Sequence, residues 1–167
     1  RSSAASDVYK RQGEVLAMAS TPSADPAQIV GPPAEQAKEN FENYASDESA
    51  PLLNRSTQQI QPPGSTFKVI TTAAALEEGD TPETSVTAAP QITLPDTATT
   101  LENYGGAACG GGGTTTLREA FKRSCNTAFV DISTRHGADK FKKVSEAFGI
   151  GSEDDYLGLP VEPSRLG

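Results

Sequence analysis

The chain has 167 residues, a net charge of −8, 35% hydrophobic residues and no tryptophan. That acidity argues against nucleic acid and anionic membrane surfaces as partners, and no apolar run reaches membrane-spanning length. Fifteen glycines and twelve prolines imply many loops, although the length suffices for a core of modest size.

Residues 1–12 are set aside from fold reasoning. Asp7-Val8-Tyr9-Lys10-Arg11-Gln12 resembles the translation of a sequencing adapter, so the segment is read as non-native. It holds three basic residues and one acidic residue, which leaves −10 on residues 13–167. At the other end Ser164-Arg165-Leu166-Gly167 stops in mid-phrase, and residues 13–167 are read as part of something longer.

Gly13 to Ser20 predicts a buried strand, a short apolar run stopped by Thr21-Pro22 and Asp25-Pro26. Ala34 to Tyr44 predicts a helix with Ala37, Phe41 and Tyr44 on one face. Ser46 to Ile60 is polar and irregular. A helix is predicted from Ser65, with Phe67, Ile70 and Ala74 at helical spacing and Gly79 at its end. The Thr/Pro-rich stretch 80–100 offers one strand, Gln91 to Leu94, and Gly105 to Gly113 reads as a flexible surface loop. Four glycines in a row invite a phosphate-loop reading, but no lysine follows where such a loop needs one.

Thr116-Leu117-Arg118-Glu119 has the form of a capping box, in which Thr116 caps a helix and Glu119 reaches back. Asn126 is placed to cap the next helix, with Phe129, Ile132 and Ser133 on its face and Gly137 at its end. A last helix, Asp139 to Phe148, puts Phe141, Val144 and Phe148 on one side. Too few strands are present to complete a sheet.

The chemistry concentrates in Gln61 to Ile70, QPPGSTFKVI. Two prolines keep the approach extended and Gly64 permits a sharp turn. Ser65 then opens a helix, where unpaired N–H groups and the positive end of the dipole support an oxygen that is becoming an alkoxide. Lys68 lies one turn on, on the same face. A helix N-terminus and partial burial both disfavour its charged form, which fits it to take the serine proton. The competing reading is a plain serine cap, and a bare S-x-x-K is a weak motif on its own.

Other residues carry less. Cys109 and Cys125 form no C-x-x-C pair, and no His/Cys spacing suits zinc. They are either two buried thiols or one disulfide, and spacing does not decide. His136, the only histidine, defaults to the surface near a helix end, and Glu153-Asp154-Asp155 reads as solvated loop without a calcium-loop pattern. No metal and no cofactor is called for.

The context of Ser65 resembles a known family. Pro63-Gly64-Ser65-Thr66-Phe67-Lys68-Val69 resembles the first active-site motif of the penicillin-binding proteins, the serine transpeptidases of bacterial cell-wall synthesis. GEVLAMASTPSAD resembles the strand that precedes it, LLNRSTQQIQPPGSTFKV the approach to the nucleophile, and LREAFKRSCNTAFVDI the second motif, S-x-N, at Ser124-Cys125-Asn126. Ser124 follows Ser65 by 59 residues, normal for the family. The wording is most similar to class B, high-molecular-weight members of the actinobacterial penicillin-binding protein A type.

The resemblance implies an α/β (α+β) fold of the penicillin-binding and serine β-lactamase-like kind, incomplete here: a helical subdomain with the first strands of an antiparallel sheet. It implies Ser65 as acylated nucleophile, Lys68 as general base, Ser124 as proton relay, and Asn126 as the group that binds the substrate amide and holds Lys68. Ser65, Ser124 and Asn126 would contact substrate, a peptidoglycan stem peptide ending in D-Ala-D-Ala, or a β-lactam. A Cys109–Cys125 disulfide would tether the glycine loop to the second motif. The parent would be anchored on the outer face of the cell membrane and work with cell-wall synthesis or division proteins. The third motif, K-[ST]-G, does not occur in the 167 residues, so the segment alone would be inactive. A serine β-lactamase or D,D-carboxypeptidase of the same fold, or a non-catalytic β-lactam sensor or scaffold, are the alternative readings.

Overall fold

The computed structural model describes residues 4–9, 14–153 and 157–166. Contacts divide the chain into two compact units. One takes the chain up to Gln61 together with Glu153 and residues 157–163, and the other takes Pro62–Ser152 and residues 164–166.

In the first unit β1 (Ala4–Tyr9) pairs antiparallel with β2 (Val15–Thr21), in the register Ala4 with Thr21 and Asp7 with Met18. Residues set aside by the sequence reading thus occupy a strand position. The ladder is made of backbone groups, so an extended segment beside an open strand edge pairs without needing particular side chains. The strand foreseen at Gly13 to Ser20 is present, but it is not buried: Leu16 is 55% exposed. Among the described residues β2 has one strand neighbour, and its residues are half-buried or exposed. Three helices follow: α1 (Ala27–Val30), α2 (Ala34–Ser46) and α3 (Arg55–Gln58). Within α2 the foreseen face is partial, since Ala37 and Tyr44 are half-buried while Phe41 is exposed.

The short helix α3 was hidden in what reads as an irregular stretch. Asn54 starts it by accepting the Ser56 N–H at 3.2 Å. Arg55, 7% exposed, lies at its start and donates to the carbonyls of Pro22, Ala50, Leu53 and Ser49. A planar guanidinium with five N–H donors is suited to such a convergence of carbonyls.

The second unit is mainly helical. A tight 3-10 turn, Gly64–Phe67, leads into α4 (Lys68–Glu77). Two short antiparallel pairs follow, β3 (Ser85–Thr87) with β6 (Thr114–Thr116) and β4 (Gln91–Thr93) with β5 (Thr100–Glu102). The sequence reading had only β4. The other three are three residues each and lack the alternating apolar run that marks a strand.

Three helices close the unit: α5 (Leu117–Arg123), α6 (Asn126–His136) and α7 (Ala138–Ala147). Thr116 caps α5 by accepting the Glu119 N–H at 3.2 Å. The reciprocal half of the capping box differs, because the Glu119 carboxylate accepts from Lys122 and Arg123 instead. The core gathers on α6, where Ile132 and Ala128 are sealed from solvent with Leu117, Ala120, Val86 and Ala75. Ile70 and Ala74 of α4 pack with Val144 of α7. Phe148 lies beyond the last turn of α7 and is 55% exposed, contrary to the predicted face.

The glycine loop is held rather than free. Cys109 donates its N–H to Ala88 O at 2.8 Å, and Ala88 donates to Gly113 O at 2.9 Å. Gly110 to Gly113 all have positive φ, from 52° to 88°, a run that only glycine adopts at low cost.

Candidate active site

Ser65 and Lys68 sit at the entry to α4. Gly64, at φ 55°, makes the sharp turn into the helix. The turn after it is 3-10 rather than the α-helix the sequence predicts, and in a 3-10 turn positions i and i+3 eclipse each other. Lys68 therefore stands directly over Ser65, with Nζ 3.4 Å from the serine Oγ.

The second motif comes to the same lysine from α5 and α6. Helix α5 ends at Ser124, whose φ of 58° and ψ of 43° are left-handed. Glycine normally fills that position, and a residue with a Cβ pays roughly 1–2 kcal/mol for it. Strain held at one residue in this way is common at functional sites. Here it turns both oxygens of Ser124 onto Lys68: Nζ donates to the carbonyl at 2.7 Å and to Oγ at 3.0 Å.

Asn126 departs from its sequence reading. It is the first residue of α6 and does not cap it. Its Oδ1 accepts from Lys68 Nζ at 2.7 Å, and its Nδ2 donates to Glu102 O at 2.9 Å. The task of meeting the unpaired N–H of Thr127 falls to Asn103, whose Oδ1 lies 3.1 Å away.

Burial of Lys68 lowers its pKa from the ordinary lysine value of 10.5. Its place in the first turn of α4 acts in the same direction. The ring of Phe129 lies under the ammonium, with its centroid 5.4 Å from Nζ. This partner was not foreseen, although Phe129 stands one turn past Asn126 on the same helix face. An open cavity of about 920 Å³ runs from Lys68, Asn126 and Phe129 past Phe67, Leu94 and Leu101 to Phe141.

Cys109 and Cys125 are placed as a disulfide, Cα to Cα 6.0 Å, that joins the glycine loop to the residue between Ser124 and Asn126. His136 lies apart from this site, ten residues along α6 from Asn126, or about 15 Å. It is mostly buried rather than on the surface, with Nε2 2.7 Å from Asp80 Oδ2. Asp154 and Asp155 of the acidic cluster fall outside the described residues.

The sequence pattern of the penicillin binding protein transpeptidase domain matches residues 8–164. The chain belongs to this family. It is 47% identical over 155 residues to the peptidoglycan D,D-transpeptidase PbpA of Mycolicibacterium smegmatis, a match covering 93% of the chain and 32% of the relative. It is 34% identical to the peptidoglycan D,D-transpeptidase MrdA of Salmonella typhimurium, over 92% of the chain and 24% of the relative. Penicillin-binding protein A from M. tuberculosis, solved as its penicillin G acyl-enzyme complex, superposes with a TM-score of 0.84 at 45% identity over 92% of the chain and 35% of that structure. The chain thus spans about a third or less of the length of these relatives. Its mixed helices and antiparallel strands are part of the penicillin-binding transpeptidase fold.

Proposed function

We propose that this segment carries the nucleophile and the proton-transfer groups of a D,D-transpeptidase that cross-links peptidoglycan stem peptides and is acylated by β-lactams. One observation carries the reading. Lys68 Nζ is within 3.4 Å of Ser65 Oγ, Ser124 Oγ and Asn126 Oδ1 together, and burial lowers its pKa. The family membership supports it.

In this reading Ser65 Oγ attacks the carbonyl of the D-Ala–D-Ala bond and its proton passes to Lys68. Ser124 gives its proton to the amine of the departing D-Ala and takes one from Lys68 Nζ in return. The amine of a neighbouring peptide then captures the acyl-enzyme as its proton leaves by the reverse relay and Ser65 Oγ is released. A β-lactam acylates the same oxygen by opening its own amide. The oxyanion takes the Ser65 N–H and a second donor from sequence beyond these 167 residues, where the K-[ST]-G motif would also lie. The segment alone is therefore inactive in this proposal. The complete protein works at the outer face of the cell membrane with other cell-wall synthesis proteins.

The test is labelling of the complete protein with a fluorescent penicillin, followed by peptide mapping and an assay of D-Ala release from a stem peptide. The expected result is a long-lived adduct on Ser65 that disappears in Ser65→Ala, together with D-Ala release. An adduct elsewhere, or none, overturns the assignment. Rapid loss of the adduct to water would instead make the protein a β-lactamase.

A further inference from the structure

Asn103 has no part in the motifs, yet it is among the most fully engaged polar side chains of the second unit. It is 8% exposed. Its backbone N–H donates to Pro90 O at 3.0 Å. Its Nδ2 donates to Ala89 O at 2.9 Å and to Ala107 O at 3.1 Å. Its Oδ1 accepts the Thr127 N–H at 3.1 Å. The Thr127 hydroxyl, fully buried, lies 3.3 Å from the same oxygen and donates to Ala89 O at 2.9 Å. Both Nδ2–H donors are thus committed and Oδ1 accepts a backbone N–H, which fixes which end is oxygen and which is nitrogen.

The neighbours of these two residues make the arrangement functional. Glu102, just before Asn103, supplies the carbonyl that takes Asn126 Nδ2–H. Asn126, just before Thr127, turns its Oδ1 to Lys68 as a consequence. Two adjacent residues on one strand end therefore grip two adjacent residues at the start of α6. If the Glu102 carbonyl moved, the Asn126 amide would lose a contact that, together with Lys68, tells its two ends apart.

We propose that Asn103 is a positioning residue: by clamping Thr127 it holds the Glu102 carbonyl against Asn126 and so keeps the Asn126 oxygen on Lys68. The inference rests on the acyl-transfer reading above. Its electrostatic consequence has a definite sign. An amide oxygen on Nζ supports the ammonium, and a flipped amide puts an N–H there and destabilises it. Loss of the clamp lowers the lysine pKa further and moves the acid side of the acylation profile to lower pH. The misplaced Asn126 meanwhile lowers the plateau rate.

The experiment measures the second-order rate of acylation by a fluorescent penicillin against pH in the complete protein, with melting followed in parallel. Asn103→Ala is expected to lower the plateau about 10- to 100-fold, the scale of a displaced positioning group, and to move the acid limb to lower pH. Ile132→Val, a core change at a sealed position, is expected to lower the melting temperature and leave the limb in place. An unmoved limb in folded Asn103→Ala, or an equal shift in Ile132→Val, overturns the inference. If Asn103→Ala does not fold, the unsubstituted protein decides the matter. Nitrogen-resolved NMR of Asn126 should show one slowly exchanging side-chain proton coupled to the Glu102 carbonyl, and two freely exchanging protons overturn the inference. An unsubstituted protein that is not acylated at Ser65 overturns the acyl-transfer reading itself.

Discussion

Lys68 Nζ lies closer to Asn126 Oδ1, at 2.7 Å, than to Ser65 Oγ, at 3.4 Å. The other two close partners are the carbonyl and hydroxyl of Ser124. An ammonium has three N–H donors, and three oxygens of the second motif match them. Ser65 therefore stands just outside the set that the charged lysine fills. Losing one proton frees a lone pair on Nζ, which can then accept from a serine O–H, that of Ser65 at 3.4 Å among them. The second motif thus engages the lysine in its charged form, and in the proposed reaction deprotonation frees it to take the proton of Ser65.

The pH dependence of acylation follows. In the proposed reaction the working form of Lys68 is neutral, so the rate should rise with pH as the lysine loses its proton. Burial lowers its pKa, so the midpoint of that rise should fall below the ordinary lysine value of 10.5. Lys68→Arg keeps a charge but cannot act as a base near neutrality, and a loss of about 10²- to 10⁴-fold in acylation rate is expected. Stopped-flow acylation between pH 5 and 10 checks both statements. A flat profile would mean that Lys68 is not the group taking the proton.

Ser124 makes a second prediction, because its backbone and its hydroxyl can be separated. Ser124→Gly removes the hydroxyl and the left-handed strain together, whereas Ser124→Ala removes the hydroxyl and keeps the strain. The glycine variant should be more stable than the alanine variant by about 1 kcal/mol, while both lose acylation to a similar degree. Denaturant midpoints and acylation rates on the two proteins test this. Equal stability would show that the left-handed turn carries no cost here.

The candidate site residues were legible in the sequence because each is a polar side chain at fixed spacing beside a structural signal. Gly64 announces the turn before Ser65, and the run from Thr116 to Arg123 announces the helix that ends at Ser124. What could not be read depends on pairing between distant segments. The strands Ser85–Thr87, Thr100–Glu102 and Thr114–Thr116 are too short for periodicity to mark them. Asn103, ahead of Tyr-Gly-Gly, has the look of an ordinary turn residue. Its partner Thr127 lies 24 residues on, and nothing local points to it. Asn126 was misread for the same reason: its position suits a cap, but the Glu102 carbonyl and the Lys68 ammonium claim its side chain first. Arg55 was passed over because its partners are carbonyls, which leave no trace in a sequence.

Arg55 supplies a third prediction. Its guanidinium is buried and faces four backbone carbonyls. Arg55→Met would fill a similar volume but leave those carbonyls without a donor, at a cost of about 1–3 kcal/mol for each one that water cannot reach. Arg55→Lys supplies three donors on a point and cannot span the same set. Both should destabilise the first unit, methionine more than lysine. Hydrogen exchange over Ala24 and Leu53, whose N–H groups bond within the same loop, reports it locally. Unchanged protection in the methionine variant would assign Arg55 to mere space filling.

The Cys109–Cys125 link gives the last prediction. It closes a loop of 16 residues, for which the loss of unfolded-chain entropy amounts to about 3 kcal/mol. Gly110 to Gly113 lie inside that loop, and glycines give the open chain more freedom to lose. Helix α6 keeps its own start through Thr127 and Asn103 when the link is absent, whereas the segment from Cys109 to Gly113 then leans on its two hydrogen bonds to Ala88. The paired change Cys109→Ala and Cys125→Ala should therefore lower the melting temperature and strip exchange protection from the Cys109 N–H first, while the Thr127 N–H stays protected. Thiol titration under denaturing conditions fixes the state of the cysteines in the starting protein. A paired variant that melts where the parent does, with the Cys109 N–H still protected, would show that the hydrogen bonds to Ala88 hold the loop without the link.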